Sequence, residues 1–427
     1  MTEFHLNTLP NKIKVLFAPL KETKAVTVLV MVKVGSRDES KQLNGISHFI
    51  EHLLFKGTKK RPTSLHITKE LDGVGADYNA FTGKDMTGYY IRVNHDKLEL
   101  AIDIVSDMLY NSLFSATEIN KERGVIIEEI NMYGDNPMMM IDTLLEKLVF
   151  SGHALAREII GNKKNIKNFQ RRQFIDYFKK NYLRDNLVVG VAGNFSKSRA
   201  EKLIHKYFNK STFKSQAKTV NNFASRQNEP RVLVKQKKTE QVHLALGYPA
   251  YGVTDERRYA MSVLSVILGG NMSSRLFLEI REKRGLAYYV RCLTHNYQET
   301  GILAVYAGLD KSKIDLAIKT IINELYKIRR AKVSSEELKR AIEYIKGTLT
   351  LRLEDSAHLI EWLATQQSLK GRVDDLETQI KKISRVTVAD VQKAAKEIIG
   401  RNKANLAIIG PFKNAAPFIK ILNKQKV

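Results

Sequence analysis

"TGYYIRVNHDKLELAIDIV", residues 87–105, and "TGILAVYAGLDKSKIDLAIKTI", residues 300–321, share one pattern: a Thr-Gly start, a strand-like alternation, then an amphipathic helix. Ala101 aligns with Ala317, an offset of 216 positions. Farther along, "VAGNFSKSRAEKLI" from Val191 echoes "IIGPFKNAAPFIKIL" from Ile408, with Gly193 against Gly410 at an offset of 217. Nearly the same offset at two distant points implies a duplicated unit of roughly 210 residues. Strand-like runs such as "KIKVLFAPL", "AVTVLVMVKVG" and "EQVHLALGY" follow one another in places without a helical crossover. Each unit is therefore expected to be a mostly antiparallel or mixed sheet backed by helices, an α+β fold. The expected division is 1–212 for the first unit, a polar linker over 213–230 that ends in proline, and 231–427 for the second.

Composition agrees with two folded units. A chain of 427 residues is too long for one ordinary core, and 43% hydrophobic with 27% charged residues is a globular balance. The opening "MTEFHLNTLPNKIKVLF" lacks a basic segment followed by an apolar core, and the apolar run "VTVLVMV", residues 26–32, is far short of a membrane span. A cytoplasmic protein without a membrane partner is expected. A single cysteine, Cys292, excludes an intramolecular disulfide and a thiolate cluster, so any metal must be held by histidine and carboxylate. The net charge of +25 raises nucleic-acid binding, but the basic residues are scattered over both halves and their densest clusters, "KGTKKR" at 56–61 and "KNFQRR" at 167–172, are short. There is no repeated interleaving of aromatics with a basic run, no RNP-type motif and no zinc-finger spacing, so a solvated basic surface is expected, with no nucleic-acid partner.

Chemistry concentrates in "SHFIEHLLFKG", residues 47–57. Ile46, Phe49, Ile50, Leu53 and Leu54 recur at three-and-four spacing, which predicts a helix over 44–55. His48 and His52 are one turn apart on it and can converge on one ion, with Glu51 beside them in the inverted order of the familiar H-E-x-x-H. Zinc lowers the pKa of a bound water towards about 7, and a neighbouring carboxylate can take its proton during attack on a carbonyl. A third ligand is needed. The predicted helix "SATEINKERGVIIEEINMYGDNP", with Ser115 and Glu118 spaced as a capping box at its start, offers Glu118, Glu122, Glu128 and Glu129. Glu122 and Glu129 are two turns apart on one face, so one could ligate while the other supports; periodicity does not choose between Glu128 and Glu129.

With these residues the sequence resembles the inverted-motif zinc endopeptidases that include pitrilysin, insulin-degrading enzyme and the mitochondrial processing peptidase, closest to the short, processing-peptidase-like members. In that family the ligand glutamate lies 77 positions after the second histidine, which here is Glu129. The resemblance implies one zinc per chain on His48, His52 and Glu129, Glu51 as general base on a zinc-bound water, and Glu122 as the supporting acid. "GADYNAFTGKDMTGYY", residues 75–90, resembles the family's edge strand, implying that Asn79 and Ala80 offer backbone hydrogen bonds to an extended peptide. "LGGNMSSRLFLEIREKRGLAYYV", residues 268–290, resembles the family's Arg/Tyr element, implying that Arg281 and Tyr288 contact the substrate carbonyl. On the residues alone, Arg284 competes with Arg281, and Tyr288 and Tyr289 equally fit a reading as core aromatics. The second unit has no H-x-x-E-H: "RRYAMSVLSVILGGN", residues 257–271, occupies the comparable place. By analogy with the longer members, whose four units form a chamber, the resemblance implies a homodimer in which Arg281 and Tyr288 act in trans on peptides or unfolded segments. A non-catalytic or partner-dependent subunit of the same family is the alternative expectation.

Overall fold

The computed structural model describes residues 3–209 and 222–424, so the first half of the expected linker over 213–230 lies outside the described residues. The chain forms two compact units, each built around one sheet. In the first, β1 (His5–Thr8), β2 (Lys14–Pro19), β3 (Ala25–Val32), β4 (Asp77–Thr82), β5 (Thr87–Asn94) and β6 (Leu187–Gly193) take the order β1-β2-β6-β3-β5-β4. Only β2 and β6 run parallel; the other pairings are antiparallel. In the second, β7 (Arg231–Gln236), β8 (Gln241–Tyr251), β9 (Ala287–Asn296), β10 (Thr300–Asp310) and β11 (Asn405–Gly410) take the order β7-β11-β8-β10-β9, with β7 and β11 parallel. The two orders superimpose strand for strand once β1 is set aside, as a mixed α+β duplication requires. Ala101 and Ala317 sit in the helices Leu98–Asn111 and Ile314–Arg330 that follow β5 and β10, and Gly193 and Gly410 end β6 and β11.

The units are not contiguous in sequence. The first gathers residues up to 131, from 157 and 349–378; the second takes 132–156, 379 onward and most of what lies between. A contiguous division at 212 and 231 does not include this exchange, in which helix Ser356–Lys370 covers the first sheet and helix Pro137–Val149 the second. The central strands explain why a second cover is needed. Every residue of β6, and every residue of β3 after Ala25, is buried, so both faces must be shielded from water. Glycines let the exchanged helices approach: a Cβ on Gly190 of β6 would lie 2.3 Å from Ile360, and one on Gly247 of β8 would lie 2.8 Å from Leu145. No helix of the described residues is long and apolar enough to cross a membrane.

Candidate metal centre

The first helices of the chain are α1 (Ile46–Leu54), α2 (Ser64–Asp72), α3 (Leu98–Asn111) and α4 (Ala116–Asp135), and the site is built from α1, α4 and the neighbouring strand β4. α1 starts at Ile46 rather than Asn44 because Gly45, its N-cap, takes φ +101°, a left-handed conformation that side chains resist. A Cβ there would also meet the Ile160 carbonyl at 2.8 Å. The orphan N–H groups at this helix start are met from outside the helix. The buried Glu39 carboxylate accepts from Gly45 N at 2.8 Å, Ser47 N at 2.9 Å and Asn44 Nδ2 at 2.9 Å. Ile46, Phe49, Ile50, Leu53 and Leu54 are all buried, which turns His48, Glu51 and His52 towards α4 and β4.

Glu39 was not singled out by sequence pattern, and it titrates unusually. Burial pushes its carboxyl up to about 7, against the lowering effect of its hydrogen bonds. A carboxyl whose folded pKa is raised binds its proton more tightly when folded, so its contribution to stability is complete below 4.5 and is lost as pH rises through about 7. The unfolding free energy of wild type relative to Glu39→Gln is therefore expected to fall by on the order of 3 kcal/mol between pH 4.5 and 8. Denaturant titrations of both proteins at the two pH values check this; a flat difference would contradict it.

His48, His52 and Glu129 come together, each offering a ligand atom within 4.8 Å of the others. Nε2 of His48 lies 3.5 Å from one Glu129 oxygen, and Nε2 of His52 lies 3.6 Å from the other. These separations are long for hydrogen bonds but match a cation cage: donor atoms about 2.0–2.1 Å from a tetrahedral zinc lie roughly 3.4 Å apart. With two imidazoles, a carboxylate and no thiolate, the donor set suits zinc and leaves a coordination position open. Glu128, undecided by periodicity, points elsewhere: it is exposed and accepts from Asn131 Nδ2 at 3.2 Å.

Around this cage the supporting contacts are specific. The Nδ1 of His52 is 2.7 Å from Glu122 Oε1, which fixes the ring so that Nε2 faces Glu129. The second Glu122 oxygen lies 2.7 Å from Lys56 Nζ. Burial disfavours protonation of His52, but the hydrogen bond and charge of Glu122, with Glu51 and Glu129 nearby, outweigh it and raise the imidazole pKa. Burial likewise pushes Glu129 up, yet His48 and His52 hold its carboxyl below the ordinary glutamate value. Glu51 accepts a hydrogen bond from the Thr82 hydroxyl at the end of β4. Lys56 and Thr82 were missed by sequence reasoning, although Lys56 stands one helical turn beyond His52 and Thr82 closes the "NAFT" segment.

Among the described residues β4 is the last strand of its sheet and pairs only with β5, so its other edge is open. Asn79 is exposed and Ala80 half-buried on it. The Ala80 N–H is held by the Asn79 side-chain oxygen at 2.8 Å, a local partner that an added strand could replace. In the second unit Arg281 and Tyr288 come together at a single π-helical turn, Phe277–Glu282, and the start of β9. The Arg281 guanidinium lies 5.0 Å from the Phe277 ring centre and 5.7 Å from that of Tyr288, which is 72% exposed. Arg284, the rival of Arg281, is paired with Glu279; Tyr288 is not a core aromatic, whereas Tyr289 is partly buried, its hydroxyl 3.2 Å from His243 Nδ1 and its ring over Gly308.

A two-sheet α+β chain with an inverted His-x-x-Glu-His helix and a distant glutamate closing a three-donor cage defines a class of metallopeptidase folds. Residues 14–163 match the family described as Insulinase (Peptidase family M16), and residues 168–345 match one described as Peptidase M16 inactive domain. A Streptomyces coelicolor protein named as an uncharacterized zinc protease is 37% identical over 95% of this chain and 89% of its own length. A Bacillus subtilis protein of the same designation is 33% identical over 95% and 98%. The crystal structure of a protease from Helicobacter pylori shares the fold at a TM-score of 0.89 and 23% identity, covering 96% of this chain and 100% of that one. The chain belongs to the M16 peptidase family.

Proposed function

We propose that the chain is a zinc-dependent endopeptidase that hydrolyses peptides or unfolded segments in the cytoplasm. The observation that carries this reading is the convergence of His48, His52 and Glu129 with Glu51 alongside on the same helix. One zinc ion on the three ligands would act as a Lewis acid on the scissile carbonyl and make water a stronger nucleophile near neutral pH. Glu51 takes the proton of the attacking water and delivers it to the leaving amine. The Thr82 hydroxyl keeps that carboxylate in one orientation. The open edge of β4 pairs with the extended peptide through the backbone at Asn79 and Ala80, which reads length and extension rather than sequence. Arg281 and Tyr288, exposed in the second unit, stabilise the oxyanion that forms, acting from the partner chain of a homodimer.

The relatives' names support the peptidase reading, and the grouping of His48, His52 and Glu129 favours it over that of a subunit that has lost its motif. The test is digestion of a mixed pool of unstructured peptides by purified protein, read by mass spectrometry with and without a chelator. Internal cleavage that a chelator removes and added zinc restores is the expected result. No cleavage by protein shown to contain zinc would replace this reading with that of a non-catalytic or partner-dependent subunit.

A further inference from the structure

We propose that Lys56 is a positioning residue of the metal centre, its ammonium clamping the Glu122 carboxylate that in turn fixes the His52 imidazole. α1 ends at Leu54, and the chain turns tightly after it, with Phe55 N–H on the His52 and Leu53 carbonyls and Lys56 N–H on the Leu53 carbonyl at 3.0 Å. This turn places Lys56 beneath the face that carries His52, four residues earlier. Its Nζ reaches Glu122 Oε2 at 2.7 Å, while Glu122 Oε1 is 2.7 Å from His52 Nδ1. The Glu122 side chain is only 4% exposed.

Physical chemistry gives Lys56 a task there. A carboxylate so deeply buried is costly unless both oxygens find strong partners. His52 and Lys56 are the partners of Glu122 among the described residues, one to each oxygen. Because Glu122 is pinned at both ends, it cannot rotate about its terminal bond, so the His52 ring is held with Nε2 towards Glu129 before any metal arrives. Removing the ammonium frees one end. The imidazole then samples other orientations, and metal binding must first restore the correct one. Lys56 is not one of the three donor residues and its ammonium is paired with Glu122, so its effect belongs on metal affinity rather than on the chemical step.

This inference rests on the zinc reading above, and one titration separates the two. Zinc affinity is measured for wild type, Lys56→Met and Lys56→Arg by competition with a chromophoric chelator, with thermal melting of the metal-free proteins as a check on folding. Wild type is expected to bind one zinc per chain; if it does not, the zinc reading fails first. Lys56→Met is expected to bind roughly tenfold more weakly, the lower end of the range for groups supporting a metal-ligating histidine, and Lys56→Arg to stay near wild type. In a Glu122→Gln background the Lys56→Met change should have little further effect, because the path from lysine to ring is already broken. Equal affinity for wild type and Lys56→Met would overturn the proposal. So would an undiminished loss in the Glu122→Gln background, which would mean that Lys56 acts through something other than Glu122. Should Lys56→Met prove unfolded, Lys56→Gln, which keeps a polar end without the charge, takes its place in the same comparison.

Discussion

Glu51→Gln is expected to lower kcat/KM for peptide cleavage by about 10²–10⁴-fold or more while leaving zinc content unchanged, the magnitude of a lost general base in a site that otherwise remains intact. Glu51 is absent from the three-donor set, so the substitution should not disturb metal binding. Glutamine is nearly isosteric and can still accept from the Thr82 hydroxyl, so β4 and α1 should keep their relation. What glutamine cannot do is take a proton from water and return it to the departing amine. The comparison consists of metal analysis of both proteins, thermal melts and initial rates on one peptide substrate. Wild-type rates in the variant would remove Glu51 from its assigned role, and loss of zinc together with activity would show that the carboxylate holds the cage rather than working beside it.

How much of this was legible in the sequence follows from which contacts are local. The helix carrying His48, Glu51 and His52 was legible because its apolar residues repeat within nine positions, and the duplication because two segments at nearly one offset keep their patterns. Its first turn was not legible: the helix begins two residues late because Gly45 adopts a left-handed conformation and Glu39 supplies the cap from the preceding loop. The choice between Glu128 and Glu129 depends on the absolute rotation of the helix Ala116–Asp135, which periodicity leaves open and family spacing supplies. The exchange of the helices Pro137–Val149 and Ser356–Lys370 was hidden for a similar reason. An amphipathic pattern says that a face is buried, not which sheet buries it. Lys56 and Thr82 belong to the same class, ordinary residues by pattern whose place beside Glu122 and Glu51 comes only from packing.

A heterodimer that pairs one Glu51→Gln chain with one Tyr288→Phe chain is expected to show about half the wild-type activity, although each variant alone is nearly inactive. The expectation follows from counting sites. If Tyr288 serves the metal centre of the partner chain, the mixed dimer contains one site with intact Glu51 and intact Tyr288, and one site carrying both lesions. If Tyr288 serves its own chain, each site keeps one lesion and the mixed dimer stays inactive. Removing one oxyanion donor costs about 10²–10³-fold in rate, so the Tyr288→Phe background is low enough for the restored site to stand out. The exposure of Tyr288, with Arg281 beside it and with Tyr289 and Arg284 already engaged, is what makes this residue available to a second chain. Co-expression with two different affinity tags and sequential purification isolates the mixed species, and sedimentation establishes that it is a dimer. Restored activity would assign both the dimer and the residue that crosses it. An inactive mixed dimer would confine Tyr288 to its own chain, and full activity of Tyr288→Phe alone would show that the oxyanion is stabilised by Arg281 or by the metal without the phenol.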